Sequence, residues 1–157
     1  MSTIIELIDH EEGYRSEVYY CAEGYPTIGY GKKIGFYRQS LSDFSMISLP
    51  KCAAKAWLQY DLDTLIKQVS SRFPWFKNLN QPRQDVVISM CYQLGFNGFC
   101  EFEKTIKFIN LADFESASVE MLDSRWATQT KGRAERHSKV MLSGDYSSVK
   151  QYENFGE

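Results

Sequence analysis

Three side chains near the start of the chain, Glu12, Cys21 and Thr27, are of types that proton transfer or nucleophilic attack can use. Eight residues separate the first two and five the second two. A carboxylic acid that holds its proton can hand it to a departing oxygen. Glu12 falls in the last turn of an expected helix, where the negative end of the helix dipole disfavours an added negative charge and so favours the protonated form. Cys21 offers a thiol, which can hold or deprotonate a water, attack as a thiolate, or fill space as a polar group. Thr27 adds a hydroxyl. Each also has a plainer reading: Glu12 as a surface acid beside Glu11, Cys21 as a small buried hydrophobe, and Thr27 as an ordinary strand residue.

The elements that must position them can be read from the pattern. Thr3 and Glu6 have capping-box spacing, and Ile4, Ile5, Leu7 and Ile8 form a helical stripe that Gly13 can stop, giving a helix over about residues 3–12. "SEVYY", "YPTIGYG" and "KKIGFY" are short, rich in β-formers and separated by "AEG" and Gly31, which predicts three antiparallel strands. A hairpin with the loop "CAEG" would set Cys21 and Thr27 at facing strand ends. From Ser48, read as a cap ahead of Pro50, apolar residues keep helical spacing to about residue 72, long enough for a strut between two lobes. Further amphipathic helices follow in "RQDVVISMCYQLGF", "FEKTIKFINL", "DFESASVEML" and "GRAERHSKVML", the last closed by Gly144. The expected fold is α+β: one domain over residues 1–157, with a sheet lobe at about 13–47, a connecting helix at about 48–72, and a helical lobe from about 73–157 together with 1–12.

A net charge of -2 argues against binding nucleic acid through the overall field, which needs clustered Lys and Arg. The one basic run, "KGRAERHSK" at 131–139, also reads as a solvated helix face. The four cysteines show no C-x-x-C pair and no metal-ligand spacing with His10 and His137, so free thiols and no metal or cofactor are expected. "MSTIIELIDHEEGY" has a short apolar patch broken by Glu6 and no basic flank, so neither a signal peptide nor a membrane anchor is expected there.

The spacing Glu, eight residues, Asp or Cys, five residues, Thr resembles the catalytic triad of the phage-type lysozymes, glycoside hydrolase family 24. "EEGYRSEVYYCAEGYPTIGYG" also carries the family's glycines and aromatics in register, and "MCYQLGF" and "SRWATQTKGRAER" extend the similarity over most of the chain. The resemblance implies a lysozyme-like fold and an endolysin that hydrolyses the β-1,4 bond between N-acetylmuramic acid and N-acetylglucosamine in peptidoglycan. Glu12 would be the general acid, Cys21 would stand where many relatives carry Asp, and Thr27 would help hold the attacking water in an inverting reaction.

The same resemblance places Tyr92, Gln93 and Thr105 near the saccharide and makes Trp126 either an anchor or a sugar platform. Glu23 and Arg125 would face each other as a gate, and Arg133 with Arg136 would reach towards Glu11 and Glu12. Lys32 stands where many relatives have His, and Glu120 where Asn is expected at a saccharide contact. The family further implies a monomer that needs a separate hole-forming protein, residing in the host cytoplasm before release and at the periplasm and cell wall afterwards, without stable membrane insertion. Two rival functions share these features: a lytic transglycosylase, which also uses a Glu acid, and a catalytically silent wall-binding module.

Overall fold

A computed structural model describes residues 2–157. The described residues contain eight α-helices and one three-stranded antiparallel sheet, ordered β1-β2-β3, so the α+β expectation holds. The chain divides into two compact units. One is Ile8–Asp61; the other is Leu62–Glu157 with the N-terminal residues up to Leu7. Both divisions fall inside helices, α1 (Thr3–Glu12) and α2 (Lys51–Arg72).

The α1 helix has the expected bounds but not the expected cap. Backbone N–H groups of Ile5 and Glu6 donate to the Ser2 carbonyl, which makes Ser2 the capping residue. Thr3 instead donates its hydroxyl to Asp85, at 2.5 Å, and the Glu6 carboxylate accepts the Gly156 N–H at 3.0 Å. Tertiary partners have taken both side chains of the apparent capping box. Gly13, at φ +67°, then turns the chain out of the helix.

In the Ile8–Asp61 unit, β1 (Arg15–Tyr20) pairs with β2 (Pro26–Gly29), and β2 with β3 (Lys32–Lys33). The third strand is shorter than the expected "KKIGFY". Gly35 packs where a Cβ would meet Gln39, Pro26 and Phe44, and the Gln39 side chain accepts the Phe36 N–H, so the chain leaves the ladder after Ile34. Ser48 does not cap α2; it bridges to Glu17, and Pro50 supplies the first accepting carbonyl to Ala54. Lys32, which stands where many relatives have His, is held by Asp61 at 2.7 Å and lies over the Trp57 ring. Ile28, Tyr30, Ala54 and Leu58 are buried beneath the sheet unit's surface.

The helical unit contains α3 (Gln81–Leu94), α4 (Phe96–Cys100), α5 (Glu103–Asn110), α6 (Phe114–Leu122), α7 (Arg125–Gln129) and α8 (Lys131–Ser143). Its core includes Val86, Val87, Met90, Phe99, Met121 and Met141, all fully enclosed. Asn80 caps α3 by accepting the Arg83 N–H, and Gly144, left-handed at φ +71°, closes α8. No helix of the described residues is long and apolar enough to cross a membrane.

Candidate active site

The sheet register builds the candidate site. Tyr19 lies opposite Thr27, and Thr27 opposite Lys33. Directly opposed residues project from the same face, so these three form one row across the sheet. Cys21 follows at the head of the β1–β2 turn, where its N–H donates to the Tyr25 carbonyl and its carbonyl accepts the Gly24 N–H. Gly24 takes φ +84°, a backbone angle that a side chain would strain, and this closes the turn around the sulfur.

The surroundings of Cys21 act on its charge. Burial pushes the thiol up, but hydrogen bonds from the backbone of Tyr25 and Glu23, another from the Thr27 hydroxyl, and the charge of Lys33 outweigh it, holding the thiol below its ordinary value. Thr27, 1% exposed, also gives its hydroxyl to the Tyr25 carbonyl at 2.8 Å. The Tyr25 carbonyl and the Cys21 sulfur thus both lie within the influence of one hydroxyl.

Glu12 ends α1 with its carboxylate against the turn after β2. A Cβ placed on Gly31 would lie 2.7 Å from Glu12 Oε2, so only a glycine leaves the carboxylate that position. Tyr19 feels the charge of both the acid and the sulfur. Burial raises its phenol, the charge of Glu12 raises it further, Arg15 opposes, and Cys21 adds a smaller push upward. Glu12 and Cys21 thus both act on the ring that stands opposite Thr27, and the three expected residues share one neighbourhood within a single unit.

The remaining expected residues divide. Glu23, read as half of a gate, gives its carboxylate to Lys33 in its own unit, and this hydrogen bond raises the Lys33 ammonium. In the helical unit, Trp126 is 3% exposed and donates its indole N–H to Gln93 at 2.8 Å, the position of an anchor. That bond uses the Gln93 oxygen as acceptor. Tyr92 is half-buried on α3, while Thr105 and Arg125 line a cavity of the same unit. Arg133 is buried and donates to the carbonyl and hydroxyl of Ser89, so the basic run 131–139 is not one solvated face: Arg133 and His137 point inward while Lys131, Glu135 and Lys139 are exposed. No group of His, Cys, Asp and Glu among the described residues is arranged to hold a metal ion.

Two contributors escaped sequence reasoning. Tyr19 carried a usable signal, since it stands two residues before Cys21 on the strand that leads into the turn. Lys33 did not, because its place beside Thr27 depends on a register that a two-residue strand does not reveal.

Eight helices among the described residues, with one small three-stranded antiparallel sheet, make a lysozyme-like α+β fold. The family described as phage lysozyme matches residues 9–139, and the chain belongs to that family. It is similar to probable T4-type lysozyme 1 of Dictyostelium discoideum, with 26% identity over 96% of this chain and 99% of that protein. Probable T4-type lysozyme 2 of the same organism is 22% identical over 97% of this chain and 99% of its own length. The pre-baseplate central spike protein Gp5 of Enterobacteria phage T4 is 29% identical over 93% of this chain, which spans only 28% of the spike protein. Membership supports lysozyme-like hydrolysis of peptidoglycan.

Proposed function

We propose that the chain is a phage endolysin that cleaves the β-1,4 bond between N-acetylmuramic acid and N-acetylglucosamine with inversion. Glu12 donates its proton to the glycosidic oxygen as the bond to the anomeric carbon breaks. A water attacks that carbon from the opposite face, oriented by Thr27, and gives its proton to the Cys21 thiolate. The observation that carries this reading is the cradle around Cys21: donors and a cation that favour a negative sulfur, beside the hydroxyl of Thr27 and near the acid Glu12. Thiolate as base is favoured over thiolate as nucleophile because Thr27, a water-holding group, is retained next to it. The protein acts as a monomer, waits in the host cytoplasm, and reaches the periplasm and wall after a separate hole-forming protein opens the membrane.

Digestion of purified peptidoglycan tests the reading. Each new reducing end should gain one water by mass, and nuclear magnetic resonance of fresh product should show the α-anomer. Anhydro ends would assign a transglycosylase, and intact glycan with the protein bound would assign a wall-binding module. Glu12→Gln should abolish cleavage. Cys21→Asp should keep most activity, while Cys21→Ser, whose hydroxyl is a far weaker base, should lose about tenfold to a hundredfold. Full lysis by Cys21→Ala would remove the sulfur from the mechanism.

A further inference from the structure

The chain between β3 and α2 folds back onto the turn that carries Cys21. Phe36 to Gln39 form a tight turn, closed by the Gln39 N–H donating to the Phe36 carbonyl at 3.0 Å, with Arg38 left-handed at φ +56°. A residue with a side chain takes that backbone only at a cost, and two fastenings hold the turn in it. The Arg38 N–H donates to the Gly24 carbonyl, and the Tyr20 hydroxyl donates to the Gln39 carbonyl, each at 2.9 Å. Tyr37 lies so close to Gly24 that a Cβ there would meet its ring at 3.0 Å. The same ring meets Tyr25 edge to face at 5.7 Å, and Tyr25 carries Lys33, whose charge acts on Cys21, over its own face at 4.6 Å. Yet Phe36 and Tyr37 stay 68% and 53% exposed, and Tyr20 45%. Large rings held in fixed positions and left open to solvent are ready contact area.

We propose that this aromatic turn is an outlying glycan subsite, which takes the C–H faces of peptidoglycan sugars beyond the two joined by the cleaved bond. The run of ring contacts from Lys33 through Tyr25 to Tyr37 makes the turn continuous with the Cys21 site, so a strand seated at Cys21 can extend onto it. A pyranose has an apolar C–H face and a rim of hydroxyl and amide groups. Phe36 and Tyr37 suit the face; the Arg38 guanidinium, 5.2 Å from the Tyr37 centroid, and the Lys33–Glu23 pair suit the rim. An anionic bilayer would call for surplus cations, and here Lys33 is already paired with Glu23. A protein partner would need roughly 800 Å² of contact, more than three rings on one short turn present. Because the turn is fastened before substrate arrives, little ordering opposes binding. The inference rests on the peptidoglycan reading above and makes the enzyme favour long strands over short ones.

The test uses full-length protein carrying Glu12→Gln, which holds substrate without cutting it, and peptide-free glycan strands of two and of four disaccharide units. Calorimetric titration should show the longer strand binding about tenfold more tightly, the gain expected from two ring contacts. Adding Phe36→Ala and Tyr37→Ala should bring that ratio down to about twofold, which the extra binding registers of a longer strand supply by themselves. Phe36→Ala alone, which leaves the Tyr37 contacts to Gly24 and Tyr25 in place, should give an intermediate ratio and guards against a loosened turn. Equal affinity for the two strands, or an undiminished ratio in both variants, overturns the proposal. So does sedimentation of the protein with phosphatidylglycerol vesicles that Phe36→Ala abolishes, which would give the rings to a membrane. Turnover of the short strand by the unaltered enzyme is measured alongside; its absence would count against the hydrolase reading, while the binding ratio still decides the subsite.

Discussion

Gly31→Ala should separate the position of the acid from the stability of the fold. Gly31 sits at φ +75°, and an added Cβ would fall 2.7 Å from Glu12 Oε2 and 3.3 Å from its Cδ. The left-handed backbone costs an alanine about 1–2 kcal/mol. The clash adds little to that, because the obstructing atom is the free end of a flexible side chain, which can retreat by on the order of half an ångström. That retreat displaces the proton donor. A misplacement of about 1 Å can cost a hundredfold in rate, so about tenfold is expected here, in kcat more than in KM. Gly13→Ala is the control: it meets the same positive φ, +67°, with nothing within 4 Å of the new Cβ, although it directly follows Glu12. Urea unfolding should show similar losses for the two variants, and turbidity assays on permeabilised cells should show the large activity loss only for Gly31→Ala. If Gly31→Ala keeps kcat within about twofold while losing its share of stability, the carboxylate does not need the place the structure gives it.

Three further outcomes follow from charge and burial. Cys21, held below the ordinary thiol range, should alkylate with iodoacetamide at lower pH than a free cysteine, and Lys33→Met should move that profile upward; mass mapping checks both. Cys91, buried and pushed up to about 12, should stay unlabelled in the native protein across the same range. Asp85 is raised chiefly by burial, against hydrogen bonds from Thr3, Tyr146 and Gln81, so the folded state holds its proton more tightly than the unfolded chain does. The stability this gives is full below about pH 4, the ordinary carboxylate value, and is lost as pH rises through the raised one. Urea unfolding of wild type minus Asp85→Asn should therefore show a difference that falls with pH over that interval; a rising difference would reverse the assignment.

Local pattern was readable where local physics decided the outcome. The α1 helix runs where its apolar stripe and Gly13 put it, and the Cys21 turn closes where "AEG" allows, because both depend on residues within a few positions of one another. Long-range partners defeated the same kind of reasoning. Thr3 and Glu6 look like a capping box until Asp85 and the Gly156 N–H, 82 and 150 residues away, take their side chains. Helices α4 and α7 have five residues each, too few for a 3.6-residue period to show. Arg133 reads as a surface cation in sequence but is buried against Ser89, a contact that no spacing announces.

On the proposed mechanism, a sulfur in the place of a carboxylate makes particular demands on the sheet turn. A carboxylate is ionised at neutral pH without help, whereas a thiol is mostly protonated and can serve as a base only where its surroundings favour the anion. Here the help comes from the backbone of Glu23 and Tyr25, the Thr27 hydroxyl and Lys33. Lys33 is itself fixed by two contacts, the Glu23 carboxylate and the Tyr25 ring at 4.6 Å, so its charge stands near the sulfur without rearrangement. Glu23 thus acts on the thiol twice, through its backbone and by holding Lys33 in place. Glu12, Tyr19, Cys21, Thr27, Gly31 and Lys33 all lie between Ile8 and Asp61. The surroundings of the proposed proton donor and acceptor are therefore set by one hairpin, one helix end and one glycine, and any change that moves the β1–β2 register by one residue would take Tyr19 and Thr27 off their shared face.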